Sequence, residues 1–209
     1  MQAIFSEDSA VKILVLSDLH LELGISLTLP PDLTADAYDV VILAGDIHSP
    51  GHKAVYWAQR GSTFGGKPAL LMPGNHEFYG GNLAGTVGEL RRLCAGTRIR
   101  VLDGDEIIIG GVRFLGTTLW TDFLLFGQGE QRAQAMRQAQ DFMRDFKKIK
   151  LSDLPGQLIT PDDCAALCRT QASWLDHRLA QAHAGQPEVV THRDATRQGI
   201  TPSFAGTLL

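Results

Sequence analysis

Three apolar runs, each ending in a short cluster of residues able to ligate metal, constrain this chain more than any other feature. Val11 to Leu16 leads into Ser17-Asp18-Leu19-His20, Asp39 to Ala44 closes on Gly45-Asp46, and Pro68 to Met72 closes on Pro73-Gly74-Asn75-His76. Nearly continuous apolar runs suit strands buried on both faces of a parallel sheet, whose functional groups collect beyond the strand C-termini. Tyr56 to Arg60 and Leu83 to Leu93 read as helices between the runs, so strand and helix alternate and the class is α/β.

The second half changes character. Ile107 to Leu115 reads as two strands joined at Gly110-Gly111, a hairpin signal that predicts a second sheet. Gln128 to Lys150 has no internal Gly or Pro and reads as one long helix or two, ending near Pro155-Gly156. A further helix is expected over Pro161 to Ala184, with Thr160 as its cap, Pro161 in its first turn and Gly185 beyond its end. Glu188 to Thr191 is the last strand and runs directly into His192. The first ten residues, with Glu7 and Asp8 and no apolar core, read as a short mobile leader, and residues 11–209 as a single domain.

Charge and cysteine usage narrow the partners. A formal net charge of −4 supplies no basic field, which disfavours bulk nucleic acid but leaves nucleotide-sized substrates open. No apolar run approaches the roughly 20 residues of a membrane span, so a membrane partner is not expected. Cys94, Cys164 and Cys168 form an odd set without a secretory signal, which argues for reduced thiols in a cytoplasmic setting. Cys164 and Cys168 read as small buried side chains rather than a soft metal pair. The oligomeric state stays open.

The ligand clusters carry the chemistry. Asp18 and His20 are separated by one residue and can converge on one ion. Asp46 follows a glycine, where the backbone can bend and bring the carboxylate close. Asn75 and His76 end the third run. An isolated Asp-x-His also fits a turn aspartate beside a surface histidine, but three consecutive strand ends of this kind do not. Mixed Asp, His and Asn ligation without thiolate suits Mn, Fe or Zn, and a carboxylate such as Asp46 can bridge two ions. Two ions about 3.5–4 Å apart lower the pKa of a bridging water, and the resulting hydroxide hydrolyses phosphate esters without a protein nucleophile. The chain has no Gly-x-Ser-x-Gly elbow, Walker loop or dinucleotide fingerprint.

Asp18-Leu19-His20, Gly45-Asp46, Gly74-Asn75-His76-Glu77 and Val189-Val190-Thr191-His192 together resemble, in order, the signature blocks of the calcineurin-like metallophosphoesterases. Gly74 to Tyr79 and Thr118 to Phe123 look like a bacterial branch of that family with unassigned substrates. The resemblance implies a β-sandwich of two mixed sheets flanked by helices and two divalent or trivalent metal ions. Asp18 and His20 would hold the first ion, Asp46 would bridge, and Asn75 with His192 would hold the second. His76 would face a small phosphate mono- or diester, or a nucleotide-like substrate, and protonate its leaving oxygen, work suited to an imidazole. Tyr79, three residues on, is placed to reach the same cleft, and Arg193 could contact phosphate or stand solvated at the surface.

This sequence also departs from the family pattern. No Gly-His-x-His block follows His192, so the resemblance implies a domain lacking its last strands and one ligand per ion. An alternative is therefore a truncated or degenerate relative that binds metal weakly. Ile47-His48-Ser49-Pro50-Gly51 replaces the Val-Asp-Arg-Gly continuation of the protein phosphatases, which removes a phosphate clamp. His48 and His52 read as loop histidines, His177 and His183 as surface groups, and Trp57 and Trp120 as core.

Overall fold

The computed structural model describes residues 11–193, apart from 25, 28, 31–32, 61–63 and 126. The stretch read as a leader, Asp194 and the C-terminal tail lie outside the described residues. The first sheet holds β1 (Ile13–Leu16), β2 (Val40–Ala44), β3 (Ala69–Met72) and β4 (Ile99–Val101) in that spatial order, and every pairing in it is parallel. The second holds β5 (Asp105–Ile109), β6 (Val112–Thr117) and β7 (Glu188–Thr191), with β5 antiparallel and β7 parallel to β6. The expected two-sheet sandwich flanked by helices is what forms, and the mixing of strand directions falls in its second sheet.

Side-chain alternation explains the layering. Along β2, Val40, Ile42 and Ala44 meet Leu70, Met72, Phe114 and Val190 in a core between the sheets. Val41 and Leu43 point the other way, against Ala54 and Val55 of α1 (Gly51–Ala58) and Leu90 and Cys94 of α2 (Leu83–Cys94). Both faces of β2 are therefore buried, which is why its sequence reads as an unbroken apolar run. The outer face of the second sheet is covered by α5 (Pro161–Leu179), through Leu115, Leu119 and Leu175.

The helices differ in extent from the sequence reading, each for a visible reason. The long Gln128 to Lys150 segment becomes α3 (Glu130–Phe142) and α4 (Asp145–Lys148). The break falls where buried Asp145 is drawn towards Asn75 and Tyr79. Helix α5 starts on the expected cap, where Thr160 and Asp163 exchange side-chain and backbone hydrogen bonds around Pro161. It stops at Leu179, short of Ala184, and the buried Arg113 donates to the Gln181 carbonyl just past the end. Strand β4 has three residues and was not anticipated, being too short for a periodic signal. Among the described residues no helix is long and apolar enough to cross a membrane.

Candidate metal centre

The loops after β1 and β2 are joined backbone to backbone past the strand ends. Asp18 N–H donates to the Gly45 carbonyl at 3.1 Å, and His20 N–H to the Asp46 carbonyl at 3.0 Å. This extends the parallel pairing and sets Asp18, His20 and Asp46 side by side, with one potential ligand atom of each lying within 4.8 Å of the others. The Asp46 carboxylate accepts the His76 N–H at 2.9 Å, which fixes the third loop against the second. From the other sheet, the N–H groups of His192 and Arg193 reach the Thr118 carbonyl, while the Thr118 hydroxyl donates to the Pro73 carbonyl at 2.7 Å. Thr118, part of a block the sequence reading noted without a role, thus locks β7 to the loop that bears Asn75.

This packing demands glycine at two points. A Cβ on Gly74 would overlap the Asp46 carboxylate, and one on Gly45, where φ is +86°, would overlap the His192 ring. The ligand loops themselves carry backbone strain. Asp18, His20 and Asp46 have φ of +53°, +44° and +53°, in the left-handed region that costs a non-glycine residue about 1–3 kcal/mol.

Asp46 presents its two oxygens to different imidazoles, an arrangement in which Asp18, His20, Asp46, Asn75 and His192 could hold metal ions. Asp46 Oδ2 lies 3.9 Å from His20 Nε2, and its Oδ1 lies 3.5 Å from His192 Nε2. His192 Nδ1 donates to the Ala44 carbonyl at 3.0 Å, leaving Nε2 to face Asn75 Oδ1 at 3.2 Å and Asp46. A backbone carbonyl on the distal nitrogen is a common support for a metal-bound imidazole. Burial raises the Asp46 carboxyl, yet contact with His192 and with the His76 ring and amide outweighs it and holds the pKa below its ordinary value. Burial disfavours charge on His192 as well, but the Asp46 contact and the Ala44 carbonyl raise its pKa above the usual value. Both shifts favour an ionised Asp46 carboxylate beside a protonated His192 imidazole.

Two carboxylates that the sequence reading assigned no role organise the site. Glu22 Oε1 lies 2.8 Å from His76 Nδ1 and 3.3 Å from His20 Nδ1, so one carboxylate orients both imidazoles. His20, Glu22 and His76 also lie close enough together to form an alternative three-ligand group. Glu77, only 1% exposed, accepts N–H bonds from Asp46, Ile47, His48 and Gly74 at 2.7–3.0 Å. Burial and the neighbouring Asp46 charge push Glu77 up to about 7, against the pull of these amides. The spacing Asp-x-His-x-Glu could have flagged Glu22. Glu77 gave no signal beyond its place in a quoted block, because its partners are backbone groups.

The substrate-facing expectations meet mixed surroundings. The His76 ring lies 4.5 Å from those of His20 and Tyr79. Tyr79 donates its hydroxyl to Asp145 at 2.7 Å, and burial with that carboxylate holds its pKa well above the ordinary phenol value. Arg193 reaches the same carboxylate at 3.3 Å with a side chain 31% exposed, so it is neither simply solvated nor free to swing at a phosphate. His48 stands 4.0 Å from Glu22 at the edge of the cluster, whereas His177 bonds Gln181 and His183 bonds the Gly111 carbonyl, far along the chain from the site. Burial pushes Cys164 up to about 12 and Cys168 up to about 11, values of unreactive thiols.

The family model described as calcineurin-like phosphoesterase matches residues 11–196. A solved structure of phosphopantetheinyl hydrolase from Mycobacterium tuberculosis superposes with a TM-score of 0.63 at 18% identity, covering 90% of this chain and 70% of that one. At that identity the likeness is one of fold. No curated relative matches the chain.

Proposed function

This chain belongs to the calcineurin-like phosphoesterase family, and on that premise we propose that it hydrolyses small phosphate mono- or diesters with two metal ions, each of Mn, Fe or Zn. Asp18 and His20 would hold one ion, Asn75 and His192 the other, with Asp46 between them. The observation that carries this reading is that the two Asp46 oxygens face different imidazoles, at 3.9 and 3.5 Å. Bound there, the ions would supply Lewis acidity and charge neutralisation to the reacting phosphoryl group.

The chain's own residues supply the rest. His76 protonates the leaving oxygen, and its Nδ1 contact with Glu22 fixes the ring and leaves Nε2 for the substrate. Tyr79 stacks beside that ring and limits its rotation. Arg193 lends positive charge near the second ion through Asp145 rather than as an independent clamp. Free thiols support a cytoplasmic setting. Phosphopantetheinyl esters, the substrate class in the structural neighbour's name, belong among the compounds to assay.

Hydrolysis of p-nitrophenyl phosphate and of bis-p-nitrophenyl phosphate by this 209-residue chain, with Mn²⁺, Fe²⁺ or Zn²⁺ added, tests the reading. Turnover that disappears in Asp46→Asn is expected. Turnover no higher than that variant's with every metal would overturn the enzyme reading and leave a weak metal-binding relative.

A further inference from the structure

A cavity of about 550 Å³ lies beside the candidate metal centre and is lined by Leu21, His48, Lys53, Tyr56, Trp57 and Arg60, among others. That volume falls within the range of small-molecule sites. Lys53, Tyr56, Trp57 and Arg60 recur at helical spacing along α1 and its closing turn, so they form one stripe. At 1.5 Å per residue the two cations stand about 10 Å apart along it, with the aromatic pair between. Lys53, Tyr56 and Arg60 are exposed, and neither cation joins an ion pair among the described residues.

Glu22 touches both a catalytic group and the segment that lines the cavity. Its Oε1 orients His76, while its Oε2 accepts the Ser49 N–H at 3.1 Å and lies 4.0 Å from His48 Nδ1. Leu21 and His48, on either side of Glu22, are cavity walls.

We propose that this cavity seats the leaving group of the substrate and selects one that carries both a flat ring and a further anion, the chemistry of a nucleotide. This assignment rests on the phosphoesterase reading for the reaction, but the seat itself binds without turnover. Lys53 and Arg60 would take the anion, and Tyr56 with the edge of Trp57 would take the ring face. In the reaction, water adds to phosphorus, the bond from phosphorus to the ester oxygen breaks, and a proton passes to that oxygen, releasing inorganic phosphate and the nucleotide.

Two measurements on the full chain test this. Calorimetric titration with adenosine 5′-monophosphate, without metal, reads the seat alone. Binding that weakens at least tenfold in the Lys53→Ala/Arg60→Ala double variant, and also in Tyr56→Ala, is expected. Both changes are at exposed positions, and circular dichroism confirms the folded state. Binding that is undetectable at millimolar nucleotide, or equal in wild type and double variant, overturns the proposal. With Mn²⁺ present, the ratio of kcat/KM for adenosine 3′,5′-bisphosphate to that for p-nitrophenyl phosphate should fall at least tenfold in the double variant, and an unchanged ratio overturns it too. If neither ester turns over while the nucleotide still binds through Lys53 and Arg60, the hydrolase reading fails and the seat stands.

Discussion

Asp145 Oδ1 accepts a hydrogen bond from Asn75 Nδ2 at 2.9 Å, across a sequence separation of 70 residues. A carboxylate can only accept, so this contact commits the amide nitrogen and turns Asn75 Oδ1 towards His192 Nε2, 3.2 Å away. The same oxygen of Asp145 takes the Tyr79 hydroxyl, and its Oδ2 takes Arg193.

Removing this support should loosen the second ion without touching its ligands. Asp145→Ala is expected to weaken one of two Mn²⁺ sites by about 10–100-fold, the range typical of residues that orient metal ligands. Calorimetric Mn²⁺ titration separates the two sites, and equal affinities in wild type and variant would remove Asp145 from the second site.

Glu22 makes a different demand, because it orients the proton donor. In Glu22→Gln the loss of kcat should grow as the leaving group becomes more basic, being larger for phenyl phosphate than for p-nitrophenyl phosphate, whose leaving oxygen needs less protonation. A uniform loss across a series of aryl phosphates would assign Glu22 to the metal ligand His20 alone.

Glu77 is the point where stability and site meet. Replacing it with alanine leaves four N–H groups without their acceptor, three of them buried. Each buried one costs about 1–3 kcal/mol, so Glu77→Ala should lose at least about 3 kcal/mol in urea unfolding. A loss under about 1 kcal/mol would mean that water replaces the carboxylate freely.

The outer face of the second sheet carries a pH-dependent clamp. Glu106 pairs with Arg178 and with buried Arg113 at 2.6 Å, which joins α5 to the β5 and β6 hairpin. Bonding to Arg178, helped by Arg113, holds the Glu106 pKa below its ordinary 4.5. Its contribution is therefore complete above pH 4.5 and is lost as pH falls below that value, where the unfolded chain binds the proton more readily. Thermal midpoints between pH 6 and 3 should fall more steeply in wild type than in Glu106→Gln, and parallel slopes would refute the linkage.

The legible part of this protein was whatever local periodicity or side-chain type could carry. The run from Val40 to Ala44 announced a strand buried on both faces, and Gly110-Gly111 announced the hairpin, because these signals need no distant partner. The gathering of Asp18, His20, Asp46 and Asn75 was legible because each follows a strand of one sheet, whereas His192 entered the candidate set through the resemblance alone. Asp145 was not, since it looks like any acidic residue in a polar helix until the chain folds it beneath Asn75. The split between α3 and α4 was hidden for the same reason. Arg193 was read by its charge alone, and the partner that ties it down lies 48 residues away.

The candidate centre draws Asp46 from the sheet of β1 to β4 and His192 from the end of β7, on the opposite layer of the sandwich. A cation gripped by both would act as a rivet through the two layers. Loading the site would then slow amide hydrogen exchange along β7 and β6 as well as in the ligand loops. Occupancy could thus be followed on the far layer, from strands that themselves contain none of the proposed ligands.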